Sequence, residues 1–175
     1  MRRAWWIVVF SAACGSSTSP SPTLISQAGG TWTGALTLTS ASGGPECLDV
    51  VQQGVGVPDQ FTLAITQTGT SLSATGSAQA AGQTCSYFGT AGDAKLALDS
   101  NVCTPGGVRL TCGGVLRDAL LTRRSLTASL NGSVMTGTLS DSWSVFVAGT
   151  NVGALGVIEL SSAFTLNRTG SLNGR

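Results

Sequence analysis

From Thr31 to Thr39 the chain alternates, with Trp32, Leu36 and Leu38 on one face (Gly34 between them) and Thr31, Thr33, Thr37 and Thr39 on the other. A period of two marks a β-strand with one face buried. The pattern recurs. Phe61, Leu63 and Ile65 alternate with Thr62 and Thr66, and Thr68, Gly69 and Thr70 turn the chain into Ser71 to Ser77. Cys85 to Ala91 and Lys95 to Asp99 form a second pair about Gly92 and Asp93. Ser125 to Leu130 and Ser133 to Leu139 form a third about Asn131 and Gly132, and Asn followed by Gly is a strong hairpin signal. A last pair runs from Trp143 to Val147, turns near Gly149 to Gly153 and continues from Leu155 to Arg168. Two stretches fall outside the pattern: Ser40 to Asp59, where Glu46 to Gln53 suits one or two helical turns over an opening, and Asn101 to Leu121.

Strands joined by short turns hide their edges by closing on themselves. The expected fold is therefore all-β, an antiparallel up-and-down β-barrel of eight or nine strands, with a β-sandwich as the alternative. Its interior would be lined by Trp32, Leu36, Leu38, Phe61, Leu63, Ile65, Leu72, Leu96, Leu98, Leu126, Leu130, Phe164 and Leu166. An eight-stranded barrel either fills with its own side chains or encloses one small ligand. Phe61, Leu63, Tyr87, Leu98, Leu126 and Phe164 are the candidate ligand contacts, and Tyr87 and Trp143 carry polar groups suited to orienting a bound molecule.

The chain begins differently. Met1 to Arg3 is basic, Ala4 to Phe10 is apolar, and small residues precede Cys14, which is the order of a signal peptide over residues 1–13. The apolar run is too short for a spanning helix. Ser11, Ala12, Ala13 and Cys14 resemble the bacterial lipobox, with Ser11 where Leu is common. That resemblance implies cleavage before a lipidated Cys14 and anchoring to a membrane, and Gly15 resembles the outer-membrane sorting pattern. Residues 14–28, rich in Ser and Pro, then read as a tether, and residues 29–175 as a single barrel domain.

Composition fits an exported chain. Setting Cys14 aside leaves four cysteines to pair. Cys85 and Cys103 are equidistant from Ala94, so a tight turn there brings them opposite each other; Cys47 and Cys112 pair by elimination. Only 10% of residues are charged, and without Arg2 and Arg3 the net charge goes from +1 to −1. No basic surface for nucleic acid is expected.

Gly30, Thr31 and Trp32 make a GxW at the start of the first strand, and Arg168 ends the last. These residues resemble the calycin signature of lipocalins and avidins. The resemblance implies that Trp32 closes one end of the barrel beneath the Arg168 guanidinium, as a cation–π pair. A TDY-like second motif and a C-terminal helix pattern are missing from the sequence.

With no His, Ser-His-Asp and Cys-His catalysis and histidine metal sites are excluded. The acids are scattered, and Glu46 and Asp49 together offer too few oxygens for calcium. Arg109, Arg117, Arg123 and Arg124 read as solvated. The sequence thus points to a non-enzymatic protein without metal or cofactor. It is expected to be a monomeric, lipid-anchored, lipocalin-like barrel of the bacterial outer membrane, on its periplasmic or cell-surface face, binding a small apolar ligand. A filled barrel serving as a structural or protein-interaction lipoprotein is the alternative.

Overall fold

The alternating segments become nine strands and one short helix in the computed structural model, which describes residues 27–44 and 46–169. The expected signal segment 1–13, Cys14 and the tether as far as residue 26 lie outside the described residues. In chain order the elements are β1 (Gly30–Gly43), α1 (Leu48–Gln52), β2 (Pro58–Thr68), β3 (Ser71–Ala78) and β4 (Gln83–Gly92). They continue as β5 (Lys95–Thr104), β6 (Gly107–Cys112), β7 (Val115–Asn131), β8 (Val134–Val147) and β9 (Gly156–Thr169).

Each strand pairs with its sequence neighbours except that β5 skips β6 and pairs with β7, and β1 also pairs with β9. Eight strands therefore close into an up-and-down, calycin-like barrel, and β6 stands outside the ring. Closure leaves the eight barrel strands with a partner on both sides, which a sandwich does not.

β6 follows β5 along the same neighbour. Lys95 to Ser100 pair with Arg124 to Ser129, and Gly107 to Cys112 pair with Val115 to Leu120. β7 thus serves two storeys. β1, β8 and β9 also run above the ring, where Gly43 pairs with Ile158 and Val145 with Gly156. The lower storey is a ring of eight strands. The upper storey is a curved wall of β6, β7, β8, β9 and β1, and α1 packs against both β1 and β6. The Cys47–Cys112 disulfide fastens the start of α1 to the end of β6.

Each storey has its own apolar cluster. The lower one holds Trp32, Phe61, Leu63, Tyr87, Leu98, Leu126, Met135, Phe164 and Leu166, all essentially buried. Burying each aliphatic or Phe side chain contributes roughly 1.5–3 kcal/mol. Gly76 faces inward in this layer, where a Cβ would come 2.8 Å from the Tyr87 ring, so its missing side chain makes room for the aromatics. The upper cluster groups Cys47, Cys112, Ala119, Trp143, Val145 and Ile158, with Leu48 and Val51 of α1 packed on it.

Several expectations are corrected. Asn101 to Leu121 is not an irregular stretch: it carries the end of β5, all of β6 and the start of β7. Ser140 to Ser142 do not interrupt β8. The second hairpin turns at Asp93 and Ala94, both with positive φ (48° and 62°), rather than at Gly92 and Asp93. Ala28, assigned to the tether on composition, is fully buried in the lower cluster. Its carbonyl accepts the Trp32 indole N–H at 2.8 Å, and its own N–H donates to Gln67.

Candidate functional site

Trp32 and Arg168 close the lower end. They face each other in the β1–β9 ladder, and the guanidinium carbon lies 4.5 Å from the indole centroid. Arg168 also donates to the Gln27 carbonyl.

Above this plug, at the junction of the storeys, lies a cavity of about 290 Å³. Leu36, Phe61 and Leu139 of the lower cluster line its inner part; Ala119, Trp143 and Ile158 belong to the upper wall, and Val51 to α1. Val57 and Ala81, both solvent-exposed, mark its rim. The helical turns expected between Glu46 and Gln53 are present as α1, and they contribute to the roof.

The lining is mostly apolar, but one charged pair interrupts it. Arg124 on β7 and Asp141 on β8 are direct cross-strand partners, both pointing inward and both only 7% exposed. Arg124 Nε and Nη2 donate to the two carboxylate oxygens of Asp141, each at 2.6 Å, and Nη1 donates to Cys85 Sγ at 2.9 Å. Such a two-pronged bond is the strong form of an ion pair. Burial works against the charge on Arg124, but the hydrogen bonds to Asp141 and its negative charge outweigh it and hold the guanidinium pKa above its ordinary value. Gln83 and Ser162 add buried polar groups nearby, and Asp59 adds a second carboxylate.

Two aromatic groups have unmet hydrogen-bonding capacity among the described residues. Trp143 lines the cavity, and its buried indole N–H has no partner. Tyr87 packs below, and its buried hydroxyl also lacks one. Burial raises the Tyr87 pKa above the usual phenol value, partly opposed by the charge of Arg124.

Of the six expected ligand contacts, Phe61 lines the cavity. Leu63, Tyr87, Leu98, Leu126 and Phe164 do not; they pack the filled lower storey. Leu38, expected in the core, is half-buried at the cavity wall. Arg124 corrects the reading of solvated arginines, because it is buried. Arg117 is half-buried and binds Glu46 at 3.0 Å, whereas Arg109, which binds Asp118 at 2.8 Å, and Arg123 are solvent-exposed as expected. The four cysteines form the disulfides Cys85–Cys103 and Cys47–Cys112. Such bonds persist in a non-reducing compartment of the exported kind. Among the described residues, no helix is long and apolar enough to cross a membrane.

Compared with protein-family models, curated proteins and solved structures, the chain matches none.

Proposed function

We propose that this chain is an exported, lipid-anchored protein of a bacterial envelope, and that its barrel binds one small, mainly apolar molecule without transforming it. The supporting observation is the cavity beneath α1, apolar over most of its lining and set above a filled lower storey. Pockets that bind small molecules share this makeup of apolar walls with a few placed polar groups. The lipobox-like Ser11 to Cys14 and the two disulfides support the compartment.

Native mass spectrometry of protein purified from its host without delipidation tests the binding reading. A co-purifying small molecule is expected, and its consistent absence after gentle extraction argues against a ligand. The mass of the N-terminal peptide tests the anchor: an unmodified terminus at Cys14 removes lipidation from the proposal.

A second reading, a structural or protein-interaction lipoprotein, draws on the top of the upper wall. Val115, Leu116, Val147 and Val152 are solvent-exposed there, Val152 at 86%. Exposed apolar residues grouped in this way mark contact surfaces.

A further inference from the structure

The buried pair gives the cavity a means of selecting a head group. Among the side chains lining the cavity, the charged ones are Arg124, Asp141 and Asp59, so the site carries one positive and two negative charges. Arg124 and Asp141 already neutralise each other at hydrogen-bonding distance. A carboxylate entering beside them would meet Asp141 and add an uncompensated charge to an apolar enclosure, which is strongly disfavoured. A cation would have to give up its water in a mostly apolar cavity where the Asp141 charge is already neutralised by Arg124 and the half-buried Asp59 already accepts the Ala80 N–H at 2.9 Å.

The pair nevertheless keeps capacity to hydrogen-bond. A guanidinium has five N–H donors and a carboxylate about four acceptor positions. Arg124 makes three side-chain donor bonds here, two to Asp141 and one to Cys85. Donor and acceptor positions therefore remain side by side. Gln83 extends the polar strip: its Nε2 donates to the Pro105 carbonyl at 2.9 Å, which leaves its side-chain oxygen as an acceptor.

We propose that Arg124 and Asp141 together read the head group of the molecule held in this cavity, and that this head is neutral and both donates and accepts a hydrogen bond, as an alcohol or primary amide does. The proposal rests on the reading of the cavity as a ligand site. Its volume of about 290 Å³ corresponds to roughly ten heavy atoms at the ~30 Å³ a water molecule occupies in the liquid. The ligand class is therefore a compact aliphatic or cyclic alcohol or amide, not a long-chain fatty-acid anion.

Calorimetric titration of the delipidated full chain near neutral pH with four probes of equal chain length tests this: 1-octanol, octanamide, octanoate and octylammonium. The alcohol and the amide are expected to bind at least about tenfold more tightly than either ion. In the double variant Arg124→Leu with Asp141→Leu, the advantage of the neutral heads over a purely apolar probe of the same size should vanish. Tightest binding of octanoate or octylammonium overturns the head-group assignment, as does equal binding of all four, and both leave a ligand cavity standing. Binding of none overturns the ligand reading itself. The probe series on the parent protein decides the matter even where the double variant does not fold.

Discussion

Arg124 and Asp141 meet across the β7–β8 ladder at the boundary between the filled and the hollow part of the barrel. Each is the other's compensation, because neither charge has a water-exposed alternative. Replacing Arg124 alone with Leu should lower stability by about 3–5 kcal/mol, since it strands a buried carboxylate. Replacing both with Leu should restore most of that loss. Urea unfolding of the parent, single and double variants checks it. A double variant as unstable as the single one would show that the pair contributes more than mutual neutralisation.

The sequence contains one tyrosine, which makes its titration simple to follow. Burial holds the Tyr87 hydroxyl above the ordinary phenol pKa, which is about 10 in the unfolded chain. The folded state thus binds this proton more tightly. The resulting contribution to stability is complete below about pH 10 and is lost as pH rises through the folded value. Tyrosinate absorbance should show a midpoint above 10 in the native protein and near 10 in denaturant. Coincident midpoints would mean that Tyr87 is solvated.

The two disulfides close loops of different length. Cys47–Cys112 spans 65 residues and Cys85–Cys103 spans 18. Restriction of the unfolded chain then contributes about 4 and about 3 kcal/mol respectively. Substituting Cys47 and Cys112 together with Ala should also loosen α1 from β6 while leaving the lower storey intact. Amide hydrogen exchange should reveal this as faster exchange in α1 with unchanged protection of β2, β3 and β4. Uniform acceleration would mean that the storeys unfold as one.

At the closed end, Arg168→Leu should cost about 1–2 kcal/mol, because it removes the guanidinium from the Trp32 face. Trp32→Ala should cost about 3–5 kcal/mol, since it also leaves a cavity beneath that plug. Thermal or urea unfolding measures both. Equal losses would shift the emphasis from indole packing to the cation.

Where side chains alternate cleanly, the barrel was readable from sequence, because Thr and Ser outside with Leu, Phe and Ile inside leave one strand orientation available. The charged pair is not legible in the sequence, for a local reason. Counting outward from the Asn131 to Val134 turn, Leu126 meets Leu139, and two steps further Arg124 meets Asp141. The alternating hairpin pattern covers Ser125 to Leu130 and Ser133 to Leu139, so Arg124 and Asp141 fall just beyond it. The cysteine pairing was anticipated, but through a different turn. The hairpin is centred between Asp93 and Ala94, and Cys85 reaches Cys103 because Ser100 and Asn101 both stand opposite Tyr87 in a bulge. The sequence pattern does not mark β6, because its place depends on continuing β5 along a distant strand. The ligand contacts were misplaced in height rather than in facing. Alternation says which residues point inward, not which level of the barrel stays empty.

Thr31 and Thr169 are partners in the ladder that joins the first strand to the last, next to the Trp32 plug. The described residues therefore begin and end at the same pole, and the chain climbs through Leu36 and Leu38 before it reaches the cavity. A reporter or a solid-support linkage placed beside Thr31 or Thr169 would be moored beneath the sealed floor. The way in stays pointed outward, and fastening the barrel at that pole leaves the entrance clear.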